Sequence, residues 1–213
     1  MAEDMRGLRL EGITLSLGPQ RLLAIDTLIR PGEALTVMGP SGSGKSTLLA
    51  AITGTLAPAF SMTGRVRLDG ADITHLPTEA RRIGILFQDE LLFPHLSVGA
   101  NLAFGLPAHI RPRAARRARI EAALDAIGLA GFFDRDPATL SGGQRARVSL
   151  MRMLLSEPRA LLLDEAFSKL DTTLRSQIRT LVFTTAGDRG LPILQVTHDS
   201  ADAEAAGARR HIL

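Results

Sequence analysis

Two kinds of apolar stretch alternate along this 213-residue chain. Four short and almost wholly apolar runs, Ala34 to Met38, Ile83 to Phe87, Ala160 to Leu163 and Ile193 to Val196, predict strands buried on both faces, as in a parallel sheet. Two further stretches, Leu8 to Leu17 and Gly64 to Asp69, alternate Val, Ile and Leu with Arg and predict an exposed antiparallel layer beside that sheet. The segments between the four buried runs are long enough for helical crossovers, so the class is α/β. Between the second and third runs the pattern changes to a helical one. Ser97 opens one predicted helix, an Arg-rich one runs from Pro112 to Ile127 and closes at Gly128, and a third begins near Ser141. The expected organisation is therefore one domain over 1–213. Its core and β layer occupy about 1–90 and 156–213, and an inserted helical subdomain occupies about 91–155.

Composition narrows the field by exclusion. Hydrophobic residues at 45% and charged residues at 22% are ordinary globular values, so the chain should fold. A formal net charge of +3 is too small a bias to argue for nucleic acid, and no direct nucleic-acid partner is expected. With no cysteine, disulfides, thiolate metal sites and thiol nucleophiles all drop out. The opening MAEDMRGL lacks the apolar core of a signal peptide, and no apolar run reaches the roughly 18 residues of a membrane helix. Cytoplasm is the default location. Lys45 and Lys169 are the only lysines among 25 basic residues, which draws attention to both.

Residues 39–47 read GPSGSGKST, the full phosphate-loop pattern, set between the strand ending at Met38 and the helical run Thr47 to Ile52. Gly39, Gly42 and Gly44 let the backbone of Gly39, Pro40, Ser41, Gly42, Ser43, Gly44, Lys45, Ser46 and Thr47 curl around phosphate oxygens. The helix N-terminus adds positive potential, Lys45 reaches the terminal phosphates, and Ser46 can ligate Mg²⁺. A second element is the apolar strand ending in Asp164 and Glu165. A carboxylate at that edge can hold Mg²⁺ through water, and Glu165 is placed to orient or deprotonate an attacking water. Standing alone, an Asp-Glu pair after an apolar run also reads as a plain helix start.

At 140–144 the chain reads LSGGQ, which by itself could equally be a helix start with Ser141 as N-cap. It leads into RARVSLMRMLLSEPRALLLDEAFSKLD, and with Gln88 in ILFQD and His198 in VTHD six elements stand in one order. That order resembles the ATP-binding cassette (ABC) ATPases, with a P-loop NTPase core, a mostly parallel sheet, an N-terminal antiparallel β layer and an inserted helical subdomain. The resemblance implies ATP as substrate, Mg²⁺ as cofactor, and two copies packed head to tail. Ser141, Gly142, Gly143 and Gln144 of one copy would face the γ-phosphate held by the other. His198 would hold that phosphate, Gln88 would touch Mg²⁺ and water, Asp164 and Ser46 would serve the metal, Glu165 would activate water, and Asp171 would link the two sites.

The match departs from the family in the first hairpin, where Leu17 stands in place of the usual adenine-stacking aromatic. With no Tyr or Trp and its first Phe at Phe60, the chain should grip phosphates more firmly than the base and should accept GTP nearly as well as ATP. A strong preference for ATP would point to another reader of the base, such as Phe60. Ala166 replaces a common proline, and the chain stops at HIL, so no regulatory domain is expected. The stretch DELLFPHLSVGANLAFGL resembles bacterial importer ATPases, where an apolar groove receives a short helix of the membrane subunit; it also reads as ordinary core of the helical lobe. RPRAARRAR, at 111–119, could meet acidic lipid or nucleic acid, but reads first as a solvated helix face. Within importers, IGILFQDELLFPHLSVGANL and DPATLSGGQRAR most resemble the YnjD-type ATPases, with thiamine-import ATPases next. The implied partners are a second copy, an integral membrane permease and an extracytoplasmic binding protein, at the cytoplasmic face of the inner membrane. A non-transport relative acting on nucleic acid or ribosomes, or a nucleotide sensor, are the alternatives.

Overall fold

The computed structural model describes residues 6–40, 42–205, 207 and 209–212. They form two compact units, and the chain passes between them more than once. The first holds the described residues up to Ile85, Arg159–Glu165 and those from Phe183 onward, and the second holds Leu86–Pro158 and Ala166–Val182.

In the first unit, β1 (Leu8–Leu17), β2 (Gln20–Ile29), β4 (Phe60–Leu68) and β5 (Ala71–Asp72) form an antiparallel sheet in the order β2-β1-β4-β5. A second sheet has the order β6-β7-β8-β3-β9, from β6 (Ile83–Leu86), β7 (Ala160–Asp164), β8 (Ile193–Thr197), β3 (Ala34–Met38) and β9 (Arg209–Ile212). Strands β7, β8, β3 and β9 pair in parallel. The class is therefore α/β, with one parallel and one antiparallel sheet, as expected.

Both sheets contribute to one core. Leu8, Leu10, Ile13 and Leu15 of β1, Val66 and Leu68 of β4, Leu35 and Val37 of β3, and Leu194 and Val196 of β8 are buried in a single cluster. Leu48, Leu49 and Ile52 of α1 (Lys45–Thr53) complete it. The antiparallel layer is thus exposed on one face only, because alternate residues of β1 point into this core. Strand β4 begins at Phe60, four residues before the expected Gly64. Beyond an irregularity between Glu11 and Thr14, β1 goes on pairing with β4 from Thr14↔Thr63 to Leu17↔Phe60. Helix α1 ends at Gly54, and the buried guanidinium of Arg81 donates to the carbonyls of Ala51 and Ile52 at 3.0 and 2.8 Å. That satisfies acceptors which a helix end leaves over. Burial pulls the Arg81 pKa below its ordinary value.

In the second unit, α2 (Val98–Ala103), α3 (Arg113–Ala126) and α4 (Gly142–Leu155) pack around Val98, Leu102, Ile120, Leu124, Val148 and Leu155. Ser97 caps α2, accepting from the Ala100 amide at 3.2 Å. The apolar stripe of α3, Ile120, Ala123 and Leu124, faces the core, while its arginines lie outside it. Several of these are already engaged: Arg116 with the carbonyls of Ala103 and Ile110, Arg117 with Glu121, and Arg119 with Glu157. Helix α5 (Thr172–Asp188) and the short α6 (Ser200–Ala205) complete the fold. Among the described residues, no helix is long and apolar enough to cross a membrane.

Candidate functional site

The first unit gathers the phosphate loop and the carboxyl edge of the parallel sheet. Strand β3 delivers the chain to Gly39, and α1 starts at Lys45 with Gly44 as N-cap in a left-handed conformation, φ 90°. Glycine is needed there twice over. A side chain would be strained at that φ, and a Cβ would lie 3.1 Å from Leu23 Cδ2 of β2. No side chain caps α1, so its first-turn amides remain available to a ligand. Lys45 is buried, and its ammonium donates to the carbonyls of Gly39 and Pro40 at 2.7 and 2.8 Å. That leaves one of three N–H donors for an anion in the curl of the loop. Ser43 Oγ is buried without a hydrogen-bond partner, which fits a loop built around a polar guest. Ser41 lies outside the described residues.

Beside the loop, the Ser46 hydroxyl is close enough to the Asp164 carboxylate at the end of β7 to favour its charged form. Burial pushes the Asp164 carboxyl above its usual range, and the negative charge of Glu165 pushes the same way. The Ser46 hydroxyl and the Lys45 charge pull it back. Two hard oxygen donors side by side fit Mg²⁺, which takes one or two protein ligands and completes its shell with water and phosphate oxygens. Among the described residues, no group of three or more acidic or histidine side chains could hold a metal alone. Glu165 follows in a left-handed backbone, φ 46°, its amide donating to Val196 O at 3.0 Å. Its Oε1 lies 3.1 Å from His198 Nδ1, just beyond the end of β8. Such a backbone conformation costs a side-chain-bearing residue on the order of 1 kcal/mol or more, and Asp69, Arg82, Leu91 and Glu157 adopt it as well.

The second unit holds the remaining predicted residues. Ser141 is the N-cap of α4 and forms a closed capping box: Ser141 Oγ accepts from Gln144 N at 3.3 Å, and Gln144 Oε1 accepts from Ser141 N at 2.9 Å. Gly143 lies against Leu174, whose side chain would have to move for anything larger, because a Cβ would sit 2.5 Å from its Cδ1. Ser141, Gly142, Gly143 and Asp171 line one cleft of about 600 Å³ together with Asp89, Glu90, Arg145 and Lys169. Lys169 forms an ion pair with Asp89. Asp171 also has a local task, since its Oδ1 accepts from Leu174 N at 3.0 Å in the first turn of α5. Gln88 is exposed in the bend after β6.

The sequence reading missed two arginines. Arg152, near the C-terminal end of α4, donates to the carbonyls of Leu91 and Glu90 at 2.9 and 3.2 Å and lies over the Phe93 ring. It thereby fixes the segment after Gln88. Arg81 escaped notice for the same reason, being one arginine in a chain full of them. The doublet RR at 81–82 is the only visible hint of Arg81, and nothing local marks Arg152. Phe60, offered by the sequence only as an alternative reader of the base, borders the cavity that Leu17, Gly42, Gly44, Lys45, Ser46, Thr47 and Glu165 line, about 440 Å³ in volume.

The phosphate loop, the Ser46–Asp164 pair and the Glu165–His198 contact together define a nucleoside triphosphatase of the P-loop class. The ABC transporter family profile matches residues 22–168. The chain is 50% identical over 196 residues to the uncharacterized ABC transporter ATP-binding protein YnjD of Escherichia coli K12, covering 92% of this chain and 90% of that one. It is 45% identical over 181 residues to the thiamine import ATP-binding protein ThiQ of Cereibacter sphaeroides, covering 85% and 77%. It is 42% identical over 198 residues to the sulfate/thiosulfate import ATP-binding protein CysA of Thermosynechococcus vestitus, covering 92% of this chain but 58% of the longer relative. The chain belongs to the ABC transporter ATP-binding family, whose members are ATPases.

Proposed function

We propose that this ATPase powers a bacterial importer for a small solute, as the cytoplasmic subunit of an assembly whose membrane span belongs to another chain. The observation that carries the catalytic part is the contact between Glu165 Oε1 and His198 Nδ1 at 3.1 Å, beside the Ser46–Asp164 pair. In this reading the loop 39–47 and Lys45 bind the ATP phosphates. Glu165 takes a proton from the attacking water, and His198 orients Glu165 and holds the γ-phosphate. Ser46, Asp164 and Gln88 would hold Mg²⁺, which neutralises charge on the phosphate oxygens.

The second helix end, at Ser141, Gly142, Gly143 and Gln144, would serve the nucleotide of a second copy in a head-to-tail dimer, with Asp171 linking the two sites. The shared cleft of Ser141, Gly142, Gly143 and Asp171 supports that assignment. Loss of the γ-phosphate removes what both copies grip, so the dimer opens. The whole chain acts as one ATPase domain.

Import is favoured by the names of the thiamine and sulfate/thiosulfate relatives. A docking face for a permease is supported by Leu91, Phe93 and Phe104, which stay exposed while Val98 and Leu102 between them are core. That stretch therefore serves as lobe core and as apolar surface at once. The Phe93 and Phe104 rings pack together, their centroids 4.8 Å apart and their planes tilted by 44°. A binding protein outside the membrane and a location at the cytoplasmic face of the inner membrane complete the proposal.

Purification from native membranes in mild detergent tests it. A multispanning permease should co-purify and stimulate Mg²⁺-dependent phosphate release. Recovery with nucleic acid or ribosomes instead, or no turnover with or without a permease, would overturn the importer reading.

A further inference from the structure

We propose that Phe60, on β4, is the platform on which the nucleotide base stacks, replacing an aromatic residue that β1 lacks. The inference rests on the reading of loop 39–47 as the triphosphate site. Leu17 and Phe60 are cross-strand partners at the end of the β1–β4 ladder. Directly opposed residues of an antiparallel pair project from the same face with Cβ atoms about 5 Å apart. A side chain at 60 can therefore serve the space that a side chain at 17 would serve, although the two lie far apart in sequence.

The lining of the cavity agrees. Leu17, Leu22 and Phe60 supply the apolar part, and Gly42, Gly44, Lys45, Ser46 and Thr47 supply the phosphate-binding part, with Phe60 the one aromatic among them. A base joined to a triphosphate needs such a division, apolar faces for the ring and amides for the anion. Packing gives Phe60 no stronger competing duty. Met62, two residues along β4, packs against the buried core of the unit, whereas Phe60 is outside that cluster and only half-buried. Leu17 is 42% exposed and adds a flat aliphatic contact beside the ring. Stacking uses the π-face that every purine presents, so this platform holds adenine and guanine alike.

Calorimetric titration of the full chain with ATP, GTP and inorganic tripolyphosphate tests the proposal. Phe60→Ala should raise the dissociation constants for ATP and GTP in parallel, by about 5- to 150-fold, the range for losing one stacked base. Tripolyphosphate has no base, and its affinity should not change. Phe60→Leu should fall between, and adding Leu17→Tyr to Phe60→Ala should restore binding, because the ring returns to the same space from the opposite strand. Equal weakening of ATP and tripolyphosphate would make Phe60 a merely structural residue and overturn the proposal, as would unchanged ATP affinity in Phe60→Ala. Should the unaltered chain bind neither ATP nor tripolyphosphate, the triphosphate site itself fails, an outcome distinct from these two.

Discussion

Two helices in this molecule begin at glycine-rich segments suited to phosphate, and their first turns differ. Helix α1 has no side-chain cap, and Lys45 is already folded into the loop before it. Helix α4 has a complete capping box, with Ser141 and Gln144 satisfying each other's amides. A bare helix end offers its amides and partial positive charge to any anion at once. The box of α4 takes up the amides of Ser141 and Gln144 and does not involve those of Gly142 and Gly143. On the function proposed above, α1 binds the nucleotide of its own chain and α4 meets a phosphate that a second copy already holds.

The largest expected effect asks whether chemistry belongs to the α1 side. Glu165→Gln should lower phosphate release by at least about 10²-fold, the scale for losing a general base, while ATP binding persists. The variant should then elute as an ATP-stabilised dimer. Wild-type turnover would remove Glu165 from the mechanism and leave the comparison without its catalytic half.

A smaller effect probes the capped end. Ser141→Arg puts a bulky cation at the start of α4 and removes the box, so turnover should fall by about 10²-fold, the low end of the range for one lost charge-stabilising donor. ATP affinity of the monomer should stay as it was, because that belongs to α1. If affinity and turnover drop together, the division of labour is wrong.

The smallest effect sets the baseline, with a carboxylate that belongs to neither end. Asp72 Oδ1 accepts from the Thr74 hydroxyl at 2.6 Å and its amide at 2.9 Å, and these bonds hold the carboxyl below its ordinary value of 3.8. A lowered folded value stabilises the protein above the unfolded value, and the contribution is lost as pH falls through the folded one. Asp72→Asn should therefore lower Tm by about 1 °C near neutrality, and the gap should close in acid below that folded value. A gap that grows in acid would contradict the sign.

Much of this was legible because motif and context coincide. The strand before Gly39, the helix after Lys45, and the carboxylates ending β7 each follow from a few adjacent residues. What stayed hidden depended on distant pairing. Phe60 could be named in the sequence as the first aromatic, but its place opposite Leu17 appears only when β4 is registered against β1, because the apolar signal of that strand fades at Gly64. Strand β9 was missed because Arg209, Arg210 and His211 carry a polar pattern, affordable at a sheet edge and uninformative in sequence. Arg81 and Arg152 look like any of the chain's other arginines until the fold buries the one and half-buries the other against carbonyls. Lys169, conspicuous by its rarity, pairs with Asp89 within the cleft that also holds Ser141.

The backbone at Glu165 bears on how this gene tolerates drift. Its φ of 46° suits glycine better than any other residue, and a single transition in a glutamate codon yields glycine. That change would relieve the backbone while deleting the carboxylate on which turnover is proposed to depend. A library screened only for folded protein would therefore retain or enrich glycine at 165, whereas one screened for ATP hydrolysis would purge it. Stability and turnover are expected to point in opposite directions at this codon.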